Sequence, residues 1–164
     1  ILAVRGNHED CDRAWRGWFW FLDPRPPQDP TWGDCDERTK PYSVDLGGLQ
    51  VLALDTAKVK GWKEPIPKPK EVEKYRERFD LLRAMATPGP TWLATHRPIW
   101  GVTAHGDGPD VAVVERTLQQ AGAADLPVDV VLGGHLHLLQ VVPSVGGRPL
   151  SIVSGGAGPG SARP

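Results

Sequence analysis

The amino-acid sequence predicts a mixed α/β fold for a single domain, on three observations. The 164 residues are 40% hydrophobic and 24% charged, which is typical of one soluble globular domain. Several short apolar runs end at glycine, proline or a polar turn, and this pattern indicates strands. Residues 69–86 place apolar side chains at intervals of three and four, which indicates an amphipathic helix.

Charge and hydropathy argue against two classes of partner. The formal net charge is -1 and no long basic tract occurs, so no footprint for nucleic acid is evident. No apolar run approaches the roughly 20 residues that a membrane-spanning helix needs. Nothing in the sequence indicates an oligomeric state.

The first polar motif follows an apolar run at the start of the chain. Residues 1–4 predict a buried strand, and a polar turn follows them. In this turn Gly6 permits close backbone approach, while Asn7 offers a neutral oxygen ligand. His8 offers an acid or base and Glu9 a carboxylate; the alternative is an ordinary polar turn. Because the strand begins without a methionine or a preceding turn, we expect an N-terminally truncated fragment.

Residues 11–40 are rich in tryptophan and show no clear periodicity, which predicts a long loop or cap on the domain. Its aromatic side chains either cover a minor core or form a wall of a substrate cleft. Cys11 and Cys35 bracket the stretch, as either a disulfide staple or two buried thiols. A disulfide would indicate a periplasmic or secreted protein, and its absence a cytoplasmic one.

The middle of the chain predicts a hairpin and two helices. Gly47-Gly48 separates two strand-like runs between residues 42 and 54, which predicts the hairpin. Asp55 ends the second run and either caps its own turn or lies behind a binding site. A helix is expected from residue 69 to 86, since proline and glutamate suit its first turn, and a shorter one from 110 to 121.

Histidines follow two further predicted strands. His96 comes directly after the apolar run at 91–95, and His135 and His137 come shortly after the run at 128–132. A lone histidine in such a place is more often structural, but strand ends in α/β folds meet at the edge where ligands bind. We therefore expect these residues to meet the first polar motif there. Imidazole and amide donors without cysteine suit zinc, manganese or iron.

The turn before the last histidine pair contains Gly133-Gly134, which permits positive φ and a sharp change of direction. Residues 138–142 and 149–154 predict two more strands. His105 lies in a glycine-rich loop and is interpreted as a solvent or cleft-rim residue.

Three segments resemble the last three motifs of the calcineurin-like metallophosphoesterase family: Gly6-Asn7-His8-Glu9, residues 93–98, and Gly134-His135-Leu136-His137. The resemblance implies that one metal ion binds to Asn7, His96 and His135. It implies that His137 binds a second ion and that His8 is the general acid near the leaving group. The implied fold is a two-sheet α/β/β/α sandwich, with residues 1–164 as a partial domain. The family's first two motifs, Asp-x-His and a Gly-Asp pair, have no counterpart.

The resemblance also implies an activity, the hydrolysis of a small phosphoric ester by a dinuclear centre of manganese, iron or zinc. The two ions, divalent or trivalent, would activate a shared water for in-line displacement. Arg5 and Arg97 flank two of the motifs and either contact phosphate or have a structural role. Because the upstream carboxylates are missing, the isolated chain is expected to bind metal weakly and to hydrolyse poorly. The alternative is a metal- or phosphate-binding module without catalysis.

Overall fold

The computed structural model describes residues 1–11, 13, 15–23, 39–59, 66–102 and 115–155. Their helices and strands are, in chain order, α1 (Trp15–Phe21), β1 (Tyr42–Asp45), β2 (Gln50–Leu54), α2 (Pro69–Met85), β3 (Thr91–Thr95), α3 (Arg116–Gln120), β4 (Val130–Gly133), β5 (Leu139–Val142) and β6 (Leu150–Ser154). A 3₁₀ turn, Ala123–Asp125, lies between α3 and β4. The predicted α/β class is confirmed.

The described strands form one mixed sheet in the order β1-β2-β3-β4-β6-β5. The four central strands, β2, β3, β4 and β6, are parallel to one another, while β1 and β5 pair antiparallel to β2 and β6 at the two edges. The register places Leu52, Leu93 and Val131 side by side across β2, β3 and β4. Because the central strands run in one direction, the turns that follow them all lie at one edge of the sheet.

The hydrophobic core lies between the sheet and its helices. The sheet contributes Leu52, Leu54, Leu93 and Val131, and α2 contributes Val72, Tyr75, Phe79 and Leu82. The four positions on α2 are spaced by three, four and three residues, so they form one stripe of the helix. This packing holds the strand ends in fixed positions relative to one another.

The hairpin and the long helix form where the sequence predicts them. Gly47 and Gly48 both have positive φ, and their N–H groups donate to Asp45 Oδ1 at 2.8 and 3.0 Å. The helix α2 starts with a proline, whose missing N–H has no partner in a first turn anyway. It ends at Met85, because Ala86, directly before the Thr87-Pro88 pair, is extended.

One prediction about the amino-terminal region is wrong. Residues 1–4 are not a strand, because the N–H and carbonyl of Ala3 bond to the Tyr42 hydroxyl and not to a neighbouring backbone. Within residues 11–40, the stretch predicted as a loop or cap without clear periodicity, Trp15–Phe21 is a helix. Its seven residues are too few to show a periodicity, and the burial of Trp18 (5% exposed) indicates that tertiary packing holds it.

The predictions of a second sheet and of a disulfide staple are not decided by the described residues. The described strands make one sheet, so the second sheet of the predicted sandwich is not among them. Cys11 is in a disulfide bond, while Cys35 and the predicted helix start at Asp110 lie outside the described residues. The staple and the compartment it would indicate therefore stay predictions. No helix in the described ranges is long and apolar enough to cross a bilayer.

Candidate metal centre

The turns after β3 and β4 lie side by side at the carboxyl edge of the sheet. The two strands are parallel neighbours, so the chain leaves both of them in the same direction. His96 follows β3 directly, and its carbonyl accepts a hydrogen bond from the N–H of Gly134 at 2.9 Å. This bond joins the two turns and brings His135 next to His96.

Three side-chain donor atoms from three separate turns meet at this edge. Asn7 Oδ1 lies 2.7 Å from His96 Nε2 and 3.2 Å from His135 Nδ1. The two ring nitrogens are 3.2 Å apart, and the rings meet edge to face with their centroids 4.9 Å apart. The fold thus brings together the three residues that the sequence predicts for one metal ion.

The surroundings keep both imidazoles of this cluster neutral. Burial lowers the pKa of His96 to about 4, assisted by the charge of His135. Burial, with the charge of Arg97 second, likewise lowers the pKa of His135 to about 4. Both rings are then uncharged at pH 7, which is the form that binds a metal. Two imidazole nitrogens and an amide oxygen therefore fit one ion such as zinc, manganese or iron.

The glycines before His135 provide space, and the prediction that they supply positive φ is wrong. The left-handed residue is His135 itself, with φ of 64°. A Cβ at Gly133 would lie 2.9 Å from the Cβ of Pro98, whereas a Cβ at Gly134 would be 3.6 Å from its nearest neighbour. A left-handed histidine costs roughly 1–2 kcal/mol, and such strain is concentrated at functional sites.

The turn that carries Asn7 packs closely on His96. A Cβ at Gly6 would lie 3.4 Å from Cε1 of the His96 ring and 2.4 Å from a carboxylate oxygen of Glu9. The N–H of Glu9 donates to the Gly6 carbonyl at 3.3 Å and closes the turn. Gly6 thus permits the close approach expected of it, with the Glu9 carboxylate beside it.

Arg5 and Arg97, the two arginines that flank the motifs, contact other protein groups. Of the two roles predicted for them, phosphate binding and a structural role, this is the structural one. Arg5 is fully buried, and its Nε and Nη2 lie 3.0 and 2.9 Å from Asp55 Oδ2. Arg97 donates from Nε to the Ala57 carbonyl at 3.5 Å and from Nη1 to Glu115 Oε1 at 3.4 Å. Burial raises the pKa of Glu115 to about 7, although Arg97 opposes the shift. The buried Arg5 side chain is therefore committed to Asp55 and the Glu9 carbonyl.

His8 and His137 lie near the cluster without joining it. Both are exposed, and the charge of each contributes to the lowered pKa of His135. In the described part of the chain, no hydrogen bond or ring contact connects either of them to Asn7, His96 or His135. The assignment of His137 to a second ion therefore stays a prediction.

Carboxylates for a second ion are not identified. Across the described ranges, no three or more histidine, cysteine, aspartate or glutamate side chains are grouped to hold a metal. The cluster above has only two histidines, and its third ligand is an asparagine. Asp34, Asp36 and His105 lie outside the described residues, and the carboxylate of Asp55 is bound to Arg5.

Sequence reasoning missed Thr56 and Glu115, both of which are 0% exposed. Thr56 carries no motif, and only its place directly after a buried strand, beside Asp55, could have drawn attention to it. Glu115 lies within a region predicted as an ordinary helix, where a glutamate is expected to be solvated.

Comparison with known proteins identifies the family. The family model for calcineurin-like phosphoesterases matches residues 1–139, which include Asn7, His96, His135 and His137. No curated protein matches the chain. Members of this family are generally phosphoesterases that use divalent metals. The order of the motifs, the α/β sheet and the family match agree: the chain belongs to the calcineurin-like phosphoesterase family.

Proposed function

We propose that the chain is a metal-dependent phosphoric ester hydrolase that holds its metal through Asn7, His96 and His135. One observation carries the proposal: an amide oxygen and two neutral ring nitrogens lie within 3.2 Å of one another. In the tautomers that leave His96 Nε2 and His135 Nδ1 unprotonated, all three atoms have a lone pair to offer to a shared cation. The expected substrate is a small phosphate ester, and the expected metal is manganese, iron or zinc.

The proposed general acid is His8. It follows Asn7 directly, is exposed to solvent, and lies close enough for its charge to lower the pKa of His96. As the acid, His8 would be protonated and would donate a ring N–H to the leaving oxygen. A positioned acid contributes on the order of a hundredfold or more in rate.

The finer form of the proposal is a dinuclear centre with His137 as a ligand of the second ion. A bound divalent ion supplies a Lewis acid for the phosphoryl oxygens and lowers the pKa of a water molecule. His137 lies two residues beyond His135, near enough for its charge to lower the pKa of that ring. Because His137 is exposed and its co-ligands are not identified, we expect the second ion to bind more weakly than the first.

A second candidate function is a metal- or phosphate-binding module without catalysis. No carboxylate co-ligand of His137 is identified among the described residues, and this favours the module, because catalysis by the proposed route requires both ions. The two functions differ in the number of ions bound and in turnover.

The test counts metal ions per chain by plasma mass spectrometry after loading with Mn²⁺ or Zn²⁺, and measures p-nitrophenyl phosphate turnover on the same sample. Two ions with turnover are expected for a dinuclear hydrolase. His135→Ala should lose both the first ion and turnover, while His137→Ala should keep one ion and lose turnover. Gln140→Ala, which removes an amide side chain on β5, is the control and should change neither.

The outcomes separate the candidates. One ion in the wild-type chain without turnover would indicate the non-catalytic module. No bound ion, or full binding by His135→Ala, would refute the proposed site. Turnover that survives in His137→Ala would refute the dinuclear centre and leave a mononuclear one.

A further inference from the structure

The segment Asp55-Thr56-Ala57 follows β2. It offers no metal ligand to the cluster of Asn7, His96 and His135, yet it contacts both the turn of Asn7 and the turn of His96. We call it the β2 end turn. Its residues are 5%, 0% and 2% exposed. Since β2 is the parallel neighbour of β3, this turn lies at the same sheet edge as the proposed metal site.

The first link runs from the β2 end turn to the Asn7 turn through Arg5. The guanidinium of Arg5 binds Asp55 through Nε and Nη2, at 3.0 and 2.9 Å from Oδ2. Its Nη1 donates to the Glu9 carbonyl at 3.1 Å, so the same side chain also holds the far end of the Asn7 turn. Asp55 is itself fixed, because its two oxygens accept the N–H groups of Ala57 and Thr39 at 2.9 Å each.

The second link runs to the turn of His96. The Thr56 hydroxyl oxygen accepts the N–H of Arg97, the residue directly after His96, at 2.7 Å. The Ala57 carbonyl accepts Arg97 Nε at 3.5 Å. The N–H of Arg97 thus depends on one side-chain hydroxyl, and a buried N–H that loses its partner becomes unsatisfied.

We propose that Thr56 and Asp55 are positioning residues of the metal site: together they set the distance between Asn7 and His96. The proposal rests on the proposed function, because it assigns these two residues to the same site. The two ligands are 89 positions apart in sequence, and the short distance between Asn7 Oδ1 and His96 Nε2 requires that both turns be held on one support. Groups that orient metal ligands in this way typically change metal affinity by about 10- to 100-fold when they are removed.

The test is a Zn²⁺ or Mn²⁺ titration of the whole metal-free chain, carried out on the wild type and three threonine variants. Thr56→Val keeps the shape but removes the hydroxyl, and it should raise the Kd of the first ion by about tenfold or more. Thr56→Ser keeps the hydroxyl and should restore wild-type affinity. Thr91→Val is the matched control: this buried threonine lies at the opposite end of β3, where its hydroxyl bonds Gly89. It should leave the Kd unchanged.

Arg5→Lys tests the link from the β2 end turn to the Asn7 turn, and it tests the proposal if Thr56→Val does not fold. Lysine keeps the charge but lacks the fork that contacts Asp55 and the Glu9 carbonyl together, so a weaker first ion is again expected. Wild-type affinity in the folded Thr56→Val protein, or an equal loss in Thr91→Val, overturns the inference while the proposed function stands. A wild-type chain that binds no metal overturns both.

Discussion

Gly133 and Gly134 are adjacent glycines with different environments, and they allow a paired test of how β4 meets the Pro98 turn. A Cβ at position 133 would lie 2.9 Å from the Cβ and 3.0 Å from the Cα of Pro98. Carbon atoms in contact prefer about 3.5–4.0 Å, so Gly133→Ala demands a shift of roughly 0.5–1 Å. The proline ring and backbone cannot rotate away, since its φ is fixed.

The expected cost of Gly133→Ala follows from this overlap. Overpacking a buried contact typically destabilises by about 1–3 kcal/mol. At Gly134 the nearest atom to an added Cβ is the His96 carbonyl oxygen, at an ordinary 3.6 Å, and φ is not positive. Gly134→Ala should therefore be neutral or stabilise by up to about 1 kcal/mol, because alanine restricts the unfolded chain. The two variants should therefore differ by about 1–4 kcal/mol.

The assay is equilibrium urea unfolding of both variants without metal, followed by tryptophan fluorescence and circular dichroism. A metal titration on the same proteins adds a second measure, because a shift of β4 moves His135 away from His96. The reasoning is refuted if the free energies of unfolding of the two variants agree within about 0.5 kcal/mol. It is also refuted if Gly134→Ala is the less stable protein.

Two further predictions concern buried charges. The pKa of Glu115 is raised to about 7 in the folded chain from a reference of 4.5. As the pH rises from 4.5 to 7, the wild type should therefore lose up to about 3 kcal/mol of stability relative to Glu115→Gln. A difference in unfolding free energy between the two proteins that stays constant from about pH 4.5 to 8 in urea unfolding would contradict this. Asp55→Ala leaves Arg5 buried without its partner and should lower the free energy of unfolding by about 3–5 kcal/mol in urea unfolding. The control Asp80→Ala removes an exposed carboxylate and should lower it by under about 1 kcal/mol. Equal losses would show that the Arg5 pair has no special role.

Local elements could be predicted from the sequence because their signals are local. Gly47-Gly48 needs positive φ, and it marks the hairpin wherever the hairpin lies in the fold. The apolar stripe of α2 repeats over its 17 residues, which is long enough to define a helical period. The candidate site could be predicted in part for the same reason: His96 and His135 each follow a short apolar run that could only be a strand.

The local signal failed where packing decided the outcome. Residues 1–4 look like a strand, but their Ala3 backbone groups bond to the Tyr42 hydroxyl, a partner 39 positions away that no local pattern reveals. The helix at Trp15–Phe21 is held by the burial of Trp18. The left-handed angle falls on His135 and not on its glycines, while Gly133 lies in close contact with Pro98.

The sequence by itself determined which residue types are available for the site, and hence its chemistry: one amide, imidazoles and no thiolate. The strand order β2-β3-β4 was decided by the tertiary structure, because pairing between distant strands depends on packing and not on local pattern. That order places His96 and His135 side by side and leaves His137 exposed. Tertiary contacts also bring Asn7 Oδ1 within 3.2 Å of both histidine ring nitrogens. The strand order also places the β2 end turn at the same sheet edge, where Asp55 binds Arg5 and the Ala57 carbonyl accepts a bond from Arg97.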